Sequence, residues 1–287
     1  MKRCVQCGER FGGSAWRCPS CGFSPQQHDG VLSFCEPQGI DGFDPSAFDP
    51  LAQLEHTSFW FRSRNRIIVW ALRRYFPDIR RVLEIGCGTG FVLEGLRAQW
   101  PDLQIAGGEL HMGGLLHAAE RVPGVELFQF DARTIPFDAE FDVVGAFDVL
   151  EHIEEDEHVL DEMYAAVKPG GGILLTVPQH PWLWSASDEH AEHKRRYRRT
   201  ELLRKVSTAG FVVQRITSFI SLLLPAMAVM RLRTRLSGRQ FDPHQEHQEA
   251  QRATRVLERI VDFERSMIAR GIDLPMGGSL LVVATRT

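Results

Sequence analysis

The chain has 287 residues, 44% hydrophobic and 24% charged, enough for one sizeable α/β domain with a smaller module beside it. Its net charge of −4, from 33 basic and 37 acidic side chains, gives no global attraction to nucleic acid or an anionic membrane. Such partners must be read from local charge. Met1-Lys2-Arg3 runs into cysteines rather than an apolar stretch, so it does not read as a secretory signal and the expected location is cytoplasmic.

Four of the six cysteines fall in the first 21 residues, which argues against a distributed disulfide framework. Cys4-Val5-Gln6-Cys7-Gly8 and Cys18-Pro19-Ser20-Cys21-Gly22 are two CxxCG knuckles with ten residues between them. Each presents two thiolates from a tight turn, and together they predict a closed tetrahedral S₄ shell for structural Zn²⁺ with Cys4, Cys7, Cys18 and Cys21 as ligands. Residues 1–30 therefore read as a zinc ribbon. Residues 31–50, with three prolines and three aspartates, read as a linker. Cys35 and Cys87 stand outside the pattern.

Apolar spacing predicts a helix from Leu51 to Phe76, stopped by Pro77. Strands are then expected at 80–85, 103–109, 125–130, 141–147 and 172–178, with helices near 90–100, 111–121, 153–168 and 200–209. Strands alternating with such helices signal a doubly wound parallel sheet. Phe211–Ser218 and Ser279–Thr285 read as two final strands around a mostly helical insertion, residues 219–278.

The most informative segment is Val82-Leu83-Glu84-Ile85-Gly86-Cys87-Gly88-Thr89-Gly90, in which a strand ends and three glycines turn the chain into a helix. Glycine accepts positive φ and lets a backbone approach a ligand closely. A dinucleotide fingerprint would place a small residue where Phe91 stands, which weakens a nicotinamide reading. Glu109 closes the second strand, where a carboxylate can accept bonds from two ribose hydroxyls. Asp131-Ala132 follows the third, placed to read an adenine edge, and Phe147-Asp148 ends the fourth, placed to pack on it. Four strand ends thus converge on one edge of the sheet.

These residues, with FDVLEHI after strand 4 and KPGGGILLTVP at strand 5, resemble class I S-adenosylmethionine-dependent methyltransferases of the ubiquinone-biosynthesis-like type (types 11/12), over roughly residues 55–218 and 272–287. The resemblance implies a Rossmann-like seven-stranded sheet across residues 51–287. It also implies that Glu84 and the loop of Gly86, Cys87, Gly88 and Gly90 approach the methionine moiety, Glu109 the ribose and Asp131 the adenine; Leu110, Ala132, Phe147 and Asp148 stand beside them as further cofactor-binding candidates. Gly108-Glu109-Leu110-His111 departs from the more usual Asp-x-Ser ending. Arg64, or its neighbour Arg62, is placed to pair with the cofactor carboxylate.

Methyl transfer to a hydroxyl needs a positioned base. Two patches supply one: Glu151-His152 after strand 4, and Asp188-Glu189-His190-x-Glu192-His193 after strand 5. His152, His190, His193 and Asp188 are therefore the catalytic candidates, and a metal held by the same groups is an alternative. Residues 194–239 hold twelve basic side chains against Glu201 alone. This excess suits an anionic substrate group, anionic lipid or RNA, or simply partners for the acidic 138–162 region. Ile216–Met230 reads as an apolar helix, either a lid, a membrane-interface contact or core, packed on a helix over 251–270 through Val256, Ile260, Phe263 and Met267. The leading reading is O-methylation of a small or lipid-linked metabolite. An RNA methyltransferase using the ribbon for recognition is the rival, and a non-catalytic cofactor-binding regulator the third.

Overall fold

The computed structural model describes residues 1–35, 48–237 and 243–287. Two short strands, β1 (Lys2–Arg3) and β2 (Arg10–Phe11), pair antiparallel across the first knuckle. They are followed by β3 (Gln26–His28) and β4 (Val31–Ser33). Helices α1 (Phe48–Glu55) and α2 (Phe59–Tyr75) lead into the alternating part of the chain: β5 (Arg81–Ile85), α3 (Phe91–Gln99), β6 (Gln104–Glu109), α4 (Met112–Arg121), β7 (Glu126–Gln129) and β8 (Phe141–Phe147). Then come α5 (Asp156–Ala166), β9 (Val167–Pro178), α6 (Ala186–His190), α7 (Arg199–Thr208), β10 (Val212–Phe219), α8 (Leu224–Ser237), α9 (Pro243–Ala269) and β11 (Ser279–Thr285).

One sheet runs β10-β11-β9-β8-β5-β6-β7-β4-β3. From β7 to β9 it is parallel, and β11 inserts antiparallel between β9 and β10. The central strands are buried on both faces, which is why they read as unbroken apolar runs. On one face Val159, Leu160 and Met163 of α5 and Leu202 and Val206 of α7 fill the core. On the other, Ile68 and Leu72 of α2, Leu93 of α3, Leu115 of α4 and Ile268 of α9 do so.

The seven expected strands are present, with two more added at the β7 edge. Val31–Ser33, within the expected linker, lies parallel to β7, and β3 lies antiparallel outside it. Residues 36–47 of that linker lie outside the described residues. The helix expected from 51 to 76 is two helices, separated at His56-Thr57-Ser58, with Thr57 and Ser58 N–H both donating to Leu54 O. The apolar run Ile216–Met230 is also divided. Its first four residues complete β10, and α8 starts only at Leu224, with Pro225 in its first turn where the missing N–H costs nothing.

Helix α9 buries a different stripe from the one expected. Val261, Glu264 and Ile268 face inward, whereas Val256 and Phe263 are 59% and 60% exposed. Its partner is α2, through Arg66–Asp262 (2.8 Å) and Arg62–Glu258 (3.0 Å). Glu264 accepts the Ser221 and Leu222 N–H groups at 2.7 and 2.8 Å, so a buried carboxylate anchors the loop entering α8. Among the described residues no helix is long and apolar enough to cross a membrane.

Candidate functional site

The glycine turn leaves β5 with Gly86, Gly88 and Gly90 all in the left-handed region, at φ of 65°, 49° and 79°. A Cβ on Gly86 would stand 2.5 Å from the Val149 side chain, so this position demands glycine on both conformational and steric grounds. Glu109 ties the turn to the end of β6. Its Oε2 accepts the Gly88 N–H at 3.0 Å, and its Oε1 accepts the N–H groups of Leu110 and His111 at 2.8 and 3.0 Å. Oε2 keeps acceptor capacity for a ligand hydroxyl.

Glu84 lies beneath the turn, 3% exposed, and its Oε2 has no hydrogen-bond partner. Burial pushes its carboxyl well above the usual range; Arg64 opposes that shift while Glu55 and Glu109 add to it. An orphaned buried acid beside a second acid and a ribose-ready carboxylate suits a ligand carrying positive charge and a diol. S-adenosylmethionine carries both.

Three cofactor candidates are placed differently from expectation. Arg64 donates to Asp148 Oδ2 at 2.6 Å, so it enters the site already paired. Cys87 is a buried thiol, its Sγ 2.9 Å from where a Gly107 Cβ would lie, and only its backbone belongs to the turn. Phe147 is 6% exposed, in the core, with its ring closed over Gly145. Asp131 lies after β7 with Ala132, held by Arg133 through N–H, Nε and Nη2 contacts of 2.6 to 3.1 Å. That guanidinium outweighs burial and keeps the Asp131 carboxyl below its usual range. Asp148 has φ of 59°, a strained value for a non-glycine residue at a strand end.

Sequence spacing gave no sign of Glu55 and Arg121. The buried Glu55 carboxylate accepts Thr89 Oγ1 at 2.6 Å and Arg121 Nη1 at 2.5 Å, binding α1 and α4 to the glycine turn. Phe48, at the start of α1, lies 3.8 Å from the position of a Gly88 Cβ.

Across the sheet edge, Glu151, His152 and His193 each offer a ligand atom, all within 4.8 Å of one another. Both Glu151 oxygens are buried without partners, and burial, reinforced by Asp148, raises its carboxyl well above the usual range. Burial and the neighbouring His193 lower His152 to about 4, so it is neutral at neutral pH. Asp188 is 1% exposed and accepts His193 Nδ1 (3.0 Å), Arg196 Nε (2.7 Å) and the Ser185 N–H (2.8 Å). Against the cost of burial, His193 and the arginines lower it to about 2. Asp188 is thus an orienting anion rather than a base, a correction to its place among the catalytic candidates. His190 is another: it stands exposed at the end of α6, outside the cluster.

Part of the basic stretch pairs with acidic side chains of the same chain, some of them at the surface. Arg195 meets Glu154 and Asp156, Arg204 meets Glu157, Lys205 meets Asp156 and Arg215 meets Asp273. Arg235 and Arg239 lie outside the described side chains.

In the N-terminal module, Gly8 and Gly22 adopt φ of 75° and 77°, and their N–H groups donate to Cys4 O and Cys18 O, closing twin knuckles. Cys4 and Cys21 Sγ are 3.5 Å apart, Cys7 and Cys18 Sγ 3.6 Å, and all four lie within 4.8 Å. Zn–S bonds of about 2.3 Å in a tetrahedron require sulfurs about 3.8 Å apart, so the set fits zinc.

A family model described as a methyltransferase domain matches residues 54–216, and the chain belongs to that family. A probable S-adenosylmethionine-dependent methyltransferase of Mycolicibacterium smegmatis is 28% identical over 166 residues, 56% of this chain and 62% of that one. The chain thus spans under two thirds of that relative. The trans-aconitate 2-methyltransferase of Variovorax paradoxus is 29% identical over 105 residues, covering 36% and 40% of the two chains. Phosphoethanolamine N-methyltransferase 2 of Haemonchus contortus, solved with S-adenosyl-L-methionine, shares the fold at a TM-score of 0.52 and 20% identity, over 77% of this chain and 52% of that one.

Proposed function

We propose that the chain is an S-adenosylmethionine-dependent methyltransferase acting on an oxygen of a small or lipid-linked metabolite. The observation that carries the oxygen acceptor is the Asp188–His193 pair beside neutral His152. S-adenosylmethionine bound at the glycine turn supplies an activated methyl group on a sulfonium sulfur. Glu84, which burial keeps protonated in the free chain, is expected to ionise against its positive charge, while Glu109 answers its ribose and Asp131 its adenine. Asp188 fixes the His193 Nδ1 proton, leaving Nε2 to take the proton of an acceptor hydroxyl as methyl transfer proceeds. The Variovorax relative's name supports a small-molecule acceptor. In the N-terminal module, Cys4, Cys7, Cys18 and Cys21 hold a structural zinc whose closed shell leaves no position for chemistry.

Two measurements test this reading. Calorimetry with S-adenosylhomocysteine is expected to give binding that Glu109→Ala weakens at least about tenfold. Methyl-donor turnover is expected with small-molecule or lipid extracts, falling about 100-fold or more in His193→Asn while S-adenosylhomocysteine affinity holds. Label entering only RNA would refute the metabolite reading.

A further inference from the structure

The cysteine module is bonded to the segment that carries the adenine candidate Asp131. Arg3 N–H donates to Pro136 O at 2.9 Å, Asp138 N–H donates to Met1 O at 2.9 Å, and Lys2 bridges to Phe137. The Arg3 guanidinium donates to Ile135 O at 2.8 Å and pairs with Glu162, whose carboxylate also accepts the Ile135 N–H at 2.7 Å. Between the knuckles, the Lys2 ammonium donates to the carbonyls of Gly13, Ser14 and Ala15 at 2.7, 2.8 and 2.9 Å. That turn delivers Trp16 onto Phe34, Phe128 and Phe137, with ring centroids 4.7, 6.0 and 5.6 Å away.

A second route reaches the ribose side. Ser33 Oγ donates to Gln129 Oε1 at 2.7 Å, the Gln129 amide donates to Leu110 O at 2.9 Å, and the Leu110 N–H donates to Glu109 Oε1 at 2.8 Å. Gln129 is buried, so this chain of bonds is shielded from water. Residues 131–138 have no helix or strand of their own. Their course is set by β7 at one end and by β1 at the other, and β1 is two residues long and ends at Arg3, immediately before Cys4 and its knuckle's closure.

We infer that the four-cysteine module is a positioning element for the adenosine half of the cofactor pocket, so that metal at Cys4, Cys7, Cys18 and Cys21 sets the affinity for the methyl donor. The inference rests on the zinc reading above. A module this small folds on its metal, so losing zinc frees β1 and Trp16 and loosens the 131–138 segment. The Asp188–His193 pair stands apart from these contacts and keeps its geometry. Cys7 and Cys21 are exposed, which gives a chelator access.

The test uses the full-length chain with its zinc content measured. S-adenosylhomocysteine affinity is expected to drop about tenfold on chelation under reducing conditions and to return when zinc is restored. In the zinc-loaded variants Trp16→Ala and Gln129→Leu, KM for the methyl donor is expected to rise about tenfold with kcat within twofold, and Trp16→Phe is expected to recover most of the loss. Affinity unchanged in the zinc-free chain and in both variants would overturn the coupling. A fall in kcat at constant KM would also overturn it. If chelation unfolds the chain, the zinc-loaded variants decide alone. A parent purified folded without zinc refutes the metal reading itself, an outcome distinct from a zinc-loaded parent whose affinity ignores the metal.

Discussion

Glu151, buried, and His152, half-buried, are adjacent and opposite in their dependence on pH. The folded chain holds His152 neutral down to about 4, whereas an unfolded imidazole protonates below about 6.5. Its contribution to stability is therefore complete above about 6.5 and lost as pH falls toward 4, a total of about 3 kcal/mol. Glu151 runs the other way, because a raised carboxyl keeps its proton while the unfolded one gives it up above about 4.3. Its contribution is present at low pH and declines as pH rises. Comparing the parent with His152→Gln by urea midpoints between pH 4 and 7 separates the two. The variant is expected to lose less stability than the parent on acidification; parallel curves would show that His152 carries no such burden.

At the scale of elements, α1 is held to the glycine turn by one polar cluster. Removing Glu55 leaves the mostly buried Arg121 guanidinium without its carboxylate, a loss of about 3 kcal/mol, and frees Thr89 inside the turn. Glu55→Ala is expected to weaken S-adenosylhomocysteine binding about tenfold, and Glu55→Ala/Arg121→Ala no further than the worse single change, because the two act as a unit. Additive losses in a double-mutant cycle would place them in separate roles.

Neither residue was legible beforehand: Glu55 and Arg121 lie 66 positions apart, and no spacing rule links them. What was legible shares one local cause. The parallel strands are apolar runs punctuated by glycine and proline, and the turn residues Glu84 to Gly90 sit at the end of such a run. Where two elements share an apolar run, as β10 and α8 share Ile216–Met230, hydropathy gives no boundary. Where a buried stripe contains a charge, as α9 does at Glu264, periodicity selects the neighbouring face. Asp188 and His193 were visible as chemistry, but their division of labour depends on Arg196 and on burial, which only the fold supplies.

For the whole molecule, the placement of β4 decides how the sheet ends. An open β7 edge would present unpaired N–H and C=O groups, a template for pairing with another chain. Here β4 pairs with β7 in parallel and β3 closes over it, while Trp16 and Phe34 cover Phe128 and Phe137. Removing residues 1–35 uncovers both the strand edge and this aromatic cluster. The shortened chain is expected to associate, appearing in the excluded volume on size exclusion, with a lower unfolding midpoint than the full chain. Replacing only Cys18 and Cys21 by serine leaves β3 and β4 in the sequence, so association is expected to be weaker than in the truncation. A shortened chain that stays monomeric and melts with the parent would mean that the β7 edge needs no cover, and that β3 and β4 serve only to connect the cysteine module to the sheet.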